Sequence, residues 1–309
     1  MPVPDFQSLM LPALNAFADG RERRLSEVRE WVAVSAGLSA DDVREMLPSG
    51  RQAVFANRVG WAVTYMERAG LLERIRRGVY QLTQEGERML SRKPSRIDMN
   101  LLGEYPDFAE WSQGTKTSLT GKDPASKQNE YVSDTPEEAL DRAARQLSAA
   151  LEADVLGRVR DAAPAFLERV VVDLLIAMGY GGGDATMGRV TGCSGDGGID
   201  GTIREDALGL DEVYVQAKKY AEDNAVGEGD LRNFAGALDA AGTVKGVFVT
   251  TARFTRAAKD YVARSPKRIV LIDGTELARL MVRYGIGVRT RIRHEIKRID
   301  EDYFNQEEL

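Results

Sequence analysis

The stretch "SGDGGIDGTI" at residues 194–203, followed by "GLDEVYVQAKKY" at residues 209–220, carries the strongest indication of the fold. Asp200 stands in a run that otherwise has the character of a buried β-strand, directly after a glycine-rich turn. In the second run, Gln216 and Lys218 alternate with apolar residues, so period-two geometry puts both polar side chains on one face of a strand. A hairpin between the two runs would bring Asp200 alongside Gln216 and Lys218.

Helix and strand patterns surround this pair of runs. Thr135 can cap a helix whose first position is Pro136, and a second helix, "PAFLERVVVDLLIAMGY", begins at Pro164 and ends at Gly179. Glu168 lies at the border of the buried face of that second helix. Further strands and helices are predicted at residues 185–190, 198–204, 212–219, 228–241, 245–251, 255–264, 268–273 and 275–284. The resulting order, αβββαβαβα, predicts an α/β domain.

The polar residues suit metal-assisted phosphodiester hydrolysis. Asp200 and Glu168 are expected to hold Mg²⁺, or Mn²⁺ in its place, directly or through water. The side-chain oxygen of Gln216 or the backbone carbonyl of Ala217 would complete the shell. Lys218 is expected to orient or help deprotonate the attacking water and to offset charge on the scissile phosphate. A turn-capping Asp and the solvated face of an antiparallel sheet would explain the same residues without any chemistry.

At these residues the chain resembles the catalytic domain of Mrr-type restriction endonucleases, which belong to the PD-(D/E)xK nuclease superfamily. The resemblance is carried by "FLERVVVDLLIAMGYGGG", "SGDGGIDGTI" and "GLDEVYVQAKKY" and extends to "FAGALDAAGTVKGVFVTTARFTRAAKDY". It implies a restriction-endonuclease-like αβββαβ core and a type IV, modification-dependent nuclease that cuts methylated DNA. Asp200, Gln216 and Lys218 match the D...QxK motif of the family, and Glu168 matches its helix acid. Gln216 stands where Glu is commoner in the superfamily, which should weaken metal binding, and Glu168 is the expected compensating charge.

Composition excludes several other kinds of site. One cysteine, Cys193, and one histidine, His294, cannot form a disulfide, a Cys/His zinc cluster or a Cys-His catalytic pair within one chain. Any catalytic metal is therefore expected to be a hard ion with oxygen ligands. No run of about 18 apolar residues occurs and the first residues lack a signal-peptide pattern, so we expect the protein in the cytoplasm.

The first 91 residues predict a winged helix-turn-helix domain. Several short helices precede a hairpin around Arg76-Arg77-Gly78, and the helix of residues 52–69 has one apolar face. In a winged helix this last helix lies in a DNA groove. The side chains expected to contact DNA, provided that the helical ones point outward, are Arg51, Gln52, Asn57, Arg58, Thr64, Arg76 and Arg77. Small winged modules also serve as protein-docking units, and that alternative stays open.

The charge pattern agrees with a DNA-reading first domain. Although the net charge is -6, residues 1–95 hold 14 Lys/Arg against 12 Asp/Glu, and the remaining residues hold 28 against 36. The domains are predicted as a winged-helix DNA-reading domain at residues 1–91, a linker at 92–133, a nuclease domain at 134–290 and a charged tail at 291–309. Within the linker, Tyr105, Phe108 and Trp111 are expected to dock on one of the domains.

The leading hypothesis is a DNA endonuclease with separate reading and cutting domains. A structure-specific repair or junction nuclease would share the cutting chemistry, and a catalytically silent DNA-binding regulator would share the fold. Because one site of this type cuts one strand, cleavage of both strands predicts a homodimer or a higher oligomer on DNA. Leu280, Met281 and Ile286 are the apolar surface residues expected to contribute to assembly.

Overall fold

The structure is a computed structural model that describes residues 2–116, 133–190, 199–205, 211–297, 299 and 303. The chain forms two compact units, one built on Met1–Ala144 with Lys297–Leu309 and the other on Arg145–Ile296. The division falls within the helix Pro136–Asp161, where the sequence had predicted a boundary at residue 134. The glycine-rich turn at residues 191–198 lies outside the described residues.

The first unit consists of helices followed by a hairpin. Its helices include Met10–Asn15 (α1), Leu25–Ser35 (α2), Ala40–Arg44 (α3), Val54–Arg68 (α4) and Gln84–Ser91 (α5). Its strands are Arg23–Arg24 (β1), Leu72–Arg76 (β2) and Val79–Leu82 (β3), paired antiparallel in the order β1-β3-β2. Gly78 closes the β2-β3 hairpin with a φ of 65°, a left-handed conformation that favours glycine. This topology is that of a winged helix.

Helix α4 forms the centre of the first core. Apolar residues recur along it at helical spacing, and each member of the stripe is at most 1% exposed: Phe55, Val59, Ala62, Val63 and Met66. They pack against α1, and burying each large apolar side chain contributes about 1.5–3 kcal/mol. Gly70, with a φ of 74°, lets the chain leave the helix toward β2.

The structure corrects the first part of the predicted linker at residues 92–133. Met99–Leu102 (α6) and Pro106–Lys116 (α7) are helices that belong to the first unit, whereas residues 117–132 lie outside the described ones. Phe108 is 1% exposed, and Tyr105 and Trp111 pack partly buried against the same core. The expected docking of these aromatic side chains is confirmed, and their burial is what orders the segment.

The second unit is an α/β structure. Its helices are the second half of Pro136–Asp161 (α8) together with Pro164–Ala177 (α9), Glu228–Ala240 (α10), Arg256–Arg264 (α11) and Gly274–Tyr284 (α12). Its strands are Gly188–Val190 (β4), Gly201–Arg204 (β5), Glu212–Lys218 (β6), Ala225–Val226 (β7), Lys245–Thr250 (β8), Arg253–Phe254 (β9) and Arg268–Ile272 (β10). The predicted order of the main helices and strands is confirmed, whereas the two-residue strands β7 and β9 were not predicted.

The main sheet has the order β10-β8-β6-β5-β4 and buries both faces. Strands β4, β5 and β6 pair antiparallel, while β6, β8 and β10 pair parallel. Val215 and Val249 face a core shared with α8, α9 and α12, and Phe248 faces a second core with α10 and α11. This mixed sheet between helices is the restriction-endonuclease-like core. No helix in the described part of the chain is long and apolar enough to cross a membrane.

Candidate active site and DNA-reading surface

The β5-β6 hairpin places Asp200 beside the end of β6, as the sequence predicted. Gly201 pairs with Val215, and the backbone N–H of Asp200 donates to the Val215 carbonyl at 2.9 Å. The Asp200 side chain turns back toward the same strand, where its Oδ2 accepts the N–H of Ala217 at 2.7 Å. This bond fixes the carboxylate next to the Gln216-Ala217-Lys218 segment.

Gln216 has a buried side-chain oxygen that accepts no hydrogen bond from the described residues. The residue is 7% exposed, and its Oε1 has no hydrogen-bond partner among the described residues. Buried amide oxygens are normally satisfied, and one left without a partner costs roughly 1–3 kcal/mol. A ligand that takes oxygen donors would remove this cost, and a hard metal ion is such a ligand.

Glu168 completes the set from helix α9. Burial, and after it the negative charge of Asp200, raises the pKa of Glu168 above its ordinary value. Two carboxylates that repel each other favour a cation between them. Within the described part of the chain, no three His, Cys, Asp or Glu side chains are grouped to hold a metal. A metal at this site would therefore need an amide or carbonyl oxygen as well, and the residues present fit a hard, oxygen-liganded ion.

Lys218 has a partner that sequence reasoning missed. Its Nζ donates to Oδ1 of Asp230 in the first turn of α10 at 2.5 Å. Burial alone would lower the pKa of Lys218, but the hydrogen bond and charge of Asp230 outweigh it, so the pKa is raised. Lys218 is therefore an ammonium ion at neutral pH, which suits the expected role of offsetting phosphate charge.

Two residues expected on the DNA-facing side of α4 do not face solvent. Asn57 is 2% exposed, and its Oδ1 accepts the hydroxyl of Thr135 at 2.6 Å. Arg58 donates to Glu138 at 2.8 Å and to the carbonyl of Pro4 at 3.0 Å. Outward orientation was the condition for contact with DNA, and these two side chains do not meet it, because the start of α8 covers this face of α4 within the first unit.

The remaining expected DNA-binding residues are placed differently. Thr64 is partly buried and donates to the Gly60 carbonyl of its own helix at 2.9 Å. Gln52 is partly buried and accepts from the Asn57 amide at 3.2 Å. Arg51 is exposed before α4, so this position is available for a ligand.

The wing carries the other two expected arginines. Arg76 pairs with Glu22 at 2.9 Å, with 61% of its side chain exposed, and Arg77 is exposed beside it. Both line a cleft of about 390 Å³ at the N-terminus of α2, together with Arg24 and Ser26. Three guanidinium groups line the cleft at the positive end of α2 and favour an anion there, although Glu22, which pairs with Arg76, and Glu27, which caps the helix, offset part of their charge. The contribution of Arg24 and Ser26 was not predicted, since no local pattern links them to the wing.

The fold and the site together define a nuclease of the restriction-endonuclease class. A family model described as Mrr N-terminal domain matches residues 6–92, and one described as restriction endonuclease, Mrr_cat, matches residues 159–281. The chain is 35% identical over 309 residues to the type IV methyl-directed restriction enzyme EcoKMrr of Escherichia coli (strain K12), covering 98% of this chain and 100% of that one. The chain belongs to the Mrr family of restriction endonucleases.

Two solved structures are also similar. The DNA modification-dependent restriction endonuclease AspBHI matches with 18% identity and a TM-score of 0.37, over 68% of this chain and 53% of that one. MspJI restriction endonuclease in complex with a 27-mer oligonucleotide matches with 17% identity and a TM-score of 0.30, over 66% and 47%. Similarity at this level adds nothing to the fold assignment, which rests on the elements described above.

Proposed function

We propose that this protein is a modification-dependent DNA endonuclease, which cuts DNA carrying methylated bases by metal-assisted hydrolysis of the phosphodiester bond. The observation that carries the proposal is the buried Oε1 of Gln216, which has no partner among the described residues and lies in the strand whose next residue, Ala217, donates its N–H to the Asp200 carboxylate. A relative with methyl-directed activity, EcoKMrr, supports the choice of substrate.

Each residue of the site has a role in this chemistry. Asp200 and Glu168 would hold the metal with the Gln216 side-chain oxygen, or with the Ala217 carbonyl. When bound, Mg²⁺, or Mn²⁺ in its place, supplies Lewis-acid activation of water and of the scissile phosphate. The Lys218 ammonium donates to the phosphate oxygens and offsets the charge that develops on them. Because Lys218 is held protonated by Asp230, its role is that of a cation and a donor.

The first unit would read the DNA through its wing. Arg76 and Arg77, with Arg24, would contact phosphates at the wing cleft, while Arg51 and Gln52 lie at the entry to α4. In the full-length protein, replacing both Arg76 and Arg77 with Ala should weaken DNA binding and lower the salt slope by about 2. An Arg88→Ala variant, which loses only an exposed pair with Glu85, is the control. An unchanged salt slope would make the wing a protein-docking surface.

A cleavage panel tests the proposed function. Methylated, hydroxymethylated and unmodified duplexes are incubated with the full-length protein, with Mg²⁺ or with a chelator. We expect cleavage of a methylated duplex only in the presence of the metal. Asp200→Asn keeps an oxygen for the Ala217 N–H but weakens the metal site, so the rate should fall by at least about 10²-fold with DNA binding retained. Asp239→Asn, which removes an exposed carboxylate that pairs with Lys267 away from the candidate site, is the matched control.

The panel also separates the alternatives. Cleavage of branched but not of methylated linear DNA would favour a structure-specific nuclease. Binding without cleavage under every metal condition would favour a silent DNA-binding protein. Wild-type turnover by Asp200→Asn would remove Asp200 from the mechanism.

A further inference from the structure

Helix α10 presents a carboxylate to the end of strand β6. Asp230 is the third residue of α10, and its Oδ2 accepts the backbone N–H of Gly227, which caps the helix. Its Oδ1 accepts the Nζ of Lys218 at 2.5 Å. Each carboxylate oxygen therefore has a separate use, and the capping bond fixes the orientation of the group that binds the lysine.

The Lys218–Asp230 pair differs from the exposed ion pairs elsewhere on this helix. The two side chains are 32% and 23% exposed, whereas the Arg232–Glu228 pair on α10 has an arginine that is 66% exposed. Exposed pairs of that kind contribute little because solvent screens them. A partly buried pair with a helix-fixed carboxylate restricts the lysine much more strongly.

The backbone at Lys218 is also constrained by hydrogen bonds to the neighbouring strand. The Lys218 carbonyl accepts the hydroxyl of Thr250 at 2.8 Å, and Lys218 pairs in register with Thr250 across the parallel β6-β8 ladder. The Nζ lies 5.8 Å from the centre of the Tyr220 ring. The strand thus fixes one end of the side chain and Asp230 the other. An ammonium group has three N–H donors, so the bond to Asp230 leaves donor capacity for a phosphate.

We propose that Asp230 is a positioning residue for the nuclease reaction, which holds the Lys218 ammonium so that its remaining donor capacity meets the scissile phosphate. This inference rests on the proposed function and adds to it a residue outside the D...QxK motif. A lysine side chain has many rotamers, and a fixed carboxylate removes those that point away from the substrate before DNA arrives. A catalytic group displaced by about 1 Å can lower the rate by roughly 10²-fold, so loss of the Lys218–Asp230 pair should slow the chemical step strongly.

The test compares Asp230→Asn with Glu228→Gln in the full-length protein. Both variants remove one negative charge from the first turn of α10, and the amide introduced by Asp230→Asn retains an oxygen for the Gly227 cap. Single-turnover cleavage of a methylated duplex is measured at saturating DNA and Mg²⁺, together with the DNA dissociation constant and the thermal midpoint. We expect Asp230→Asn to slow cleavage by about 10- to 100-fold, with the other two quantities close to wild type. Glu228→Gln should remain within about twofold of wild type. Asp230→Glu, which restores a carboxylate, should recover part of the rate.

A second readout follows Lys218 itself, without any dependence on cleavage. Acylation of lysine amines by an N-hydroxysuccinimide ester is followed by peptide mass spectrometry in the wild-type protein, Asp230→Asn and Glu228→Gln. Labelling of Lys218 should rise in Asp230→Asn and stay unchanged in Glu228→Gln. Wild-type cleavage by Asp230→Asn would overturn the proposal, and so would slow cleavage with unchanged Lys218 labelling. A wild-type protein that cuts none of the substrates would remove the proposed function and this role with it.

Discussion

Gln216 presents a neutral oxygen at the position where the resemblance to the PD-(D/E)xK nucleases would predict Glu. Glu168 and Asp200 already repel each other, as the raised pKa of Glu168 reflects. A third carboxylate would increase that repulsion in the metal-free protein and would also attract a cation more strongly. If the proposed function holds, the amide should bind the metal less tightly than a carboxylate and add less repulsion to the metal-free protein.

Gln216→Glu should tighten Mg²⁺ binding. We expect a lower half-saturating Mg²⁺ concentration for cleavage, retention of part of the activity, and a lower thermal midpoint without metal, because a buried charge is added. Mg²⁺ titrations of cleavage rate and of thermal unfolding measure both effects. Gln84→Glu, at an exposed position on α5, is the control. An unchanged Mg²⁺ dependence would count against Gln216 as a ligand.

The pKa of Glu168 links the stability of the second unit to pH and metal. A carboxyl group whose pKa is raised on folding contributes stability below its unfolded pKa and loses it as pH rises through the folded value. A cation that binds the carboxylate should restore stability on the alkaline side, by about 2.7 kcal/mol at a hundredfold excess over its dissociation constant. We therefore expect Ca²⁺ or Mg²⁺ to raise the thermal midpoint more at about pH 8 than at about pH 5. Glu168→Gln should remove most of this difference, and equal shifts at both pH values would contradict a metal role for Glu168.

The sequence predicted the placement of the candidate active-site residues better than it predicted which side chains of α4 are exposed. Asp200, Gln216 and Lys218 lie in a hairpin and a strand, where period-two alternation determines which side chains meet. Asp230 could not be found in this way, because a Gly-x-x-Asp pattern before a helix is fully explained by capping. The other oxygen of Asp230 accepts the hydrogen bond from Lys218 only once the tertiary fold has formed.

Two faces of helix α4 are buried, and the sequence pattern predicts only one of them. The apolar stripe predicted the face that packs on α1. The opposite face is covered by the first turn of α8, where Glu138 pairs with Arg58 and Glu137 accepts the indole N–H of Trp61. These partners are 76 or more residues away along the chain, so no local periodicity reports them.

Thr135→Val should destabilise the first unit by about 2–3 kcal/mol, because the buried Oδ1 of Asn57 loses its donor and α8 loses its cap. Thr135 is fully buried, and its hydroxyl also accepts the N–H of Glu138 at 3.3 Å. All three tryptophans, Trp31, Trp61 and Trp111, lie in the first unit, so denaturation followed by tryptophan fluorescence reports on that unit alone.

Thr255→Val is the matched control for this measurement. Thr255 caps α11 in the second unit by accepting the N–H of Ala258 at 3.2 Å. Loss of this cap should leave the unfolding transition that tryptophan fluorescence reports unchanged. If Thr135→Val also left that transition unmoved, the contact between the start of α8 and α4 would contribute no stability to the first unit.

The exposed apolar residues of the protein are not the ones that the sequence suggested. Leu280 and Met281 are 8% and 3% exposed, and Ile286 packs partly buried against the core of the second unit. The expectation that these residues form an assembly surface is wrong, because α12 turns its apolar stripe inward. Exposed leucines lie instead on α8, where Leu147 is 74% exposed and Leu151 is 40% exposed.

Cleavage of both DNA strands should require two copies of the protein. One set of Asp200, Gln216 and Lys218 positions one water against one phosphate, and two-fold dimers are the commonest way to supply a second set. We expect the mass of the complex on a methylated duplex, measured by light scattering, to correspond to at least two copies. Plasmid cleavage should give nicked product first at low protein concentration and linear product directly at high concentration. Leu147→Glu, with Val34→Glu on α2 as the control at another highly exposed apolar residue, tests whether α8 takes part in assembly. A strictly monomeric complex that makes double-strand breaks in a single binding event would contradict the prediction.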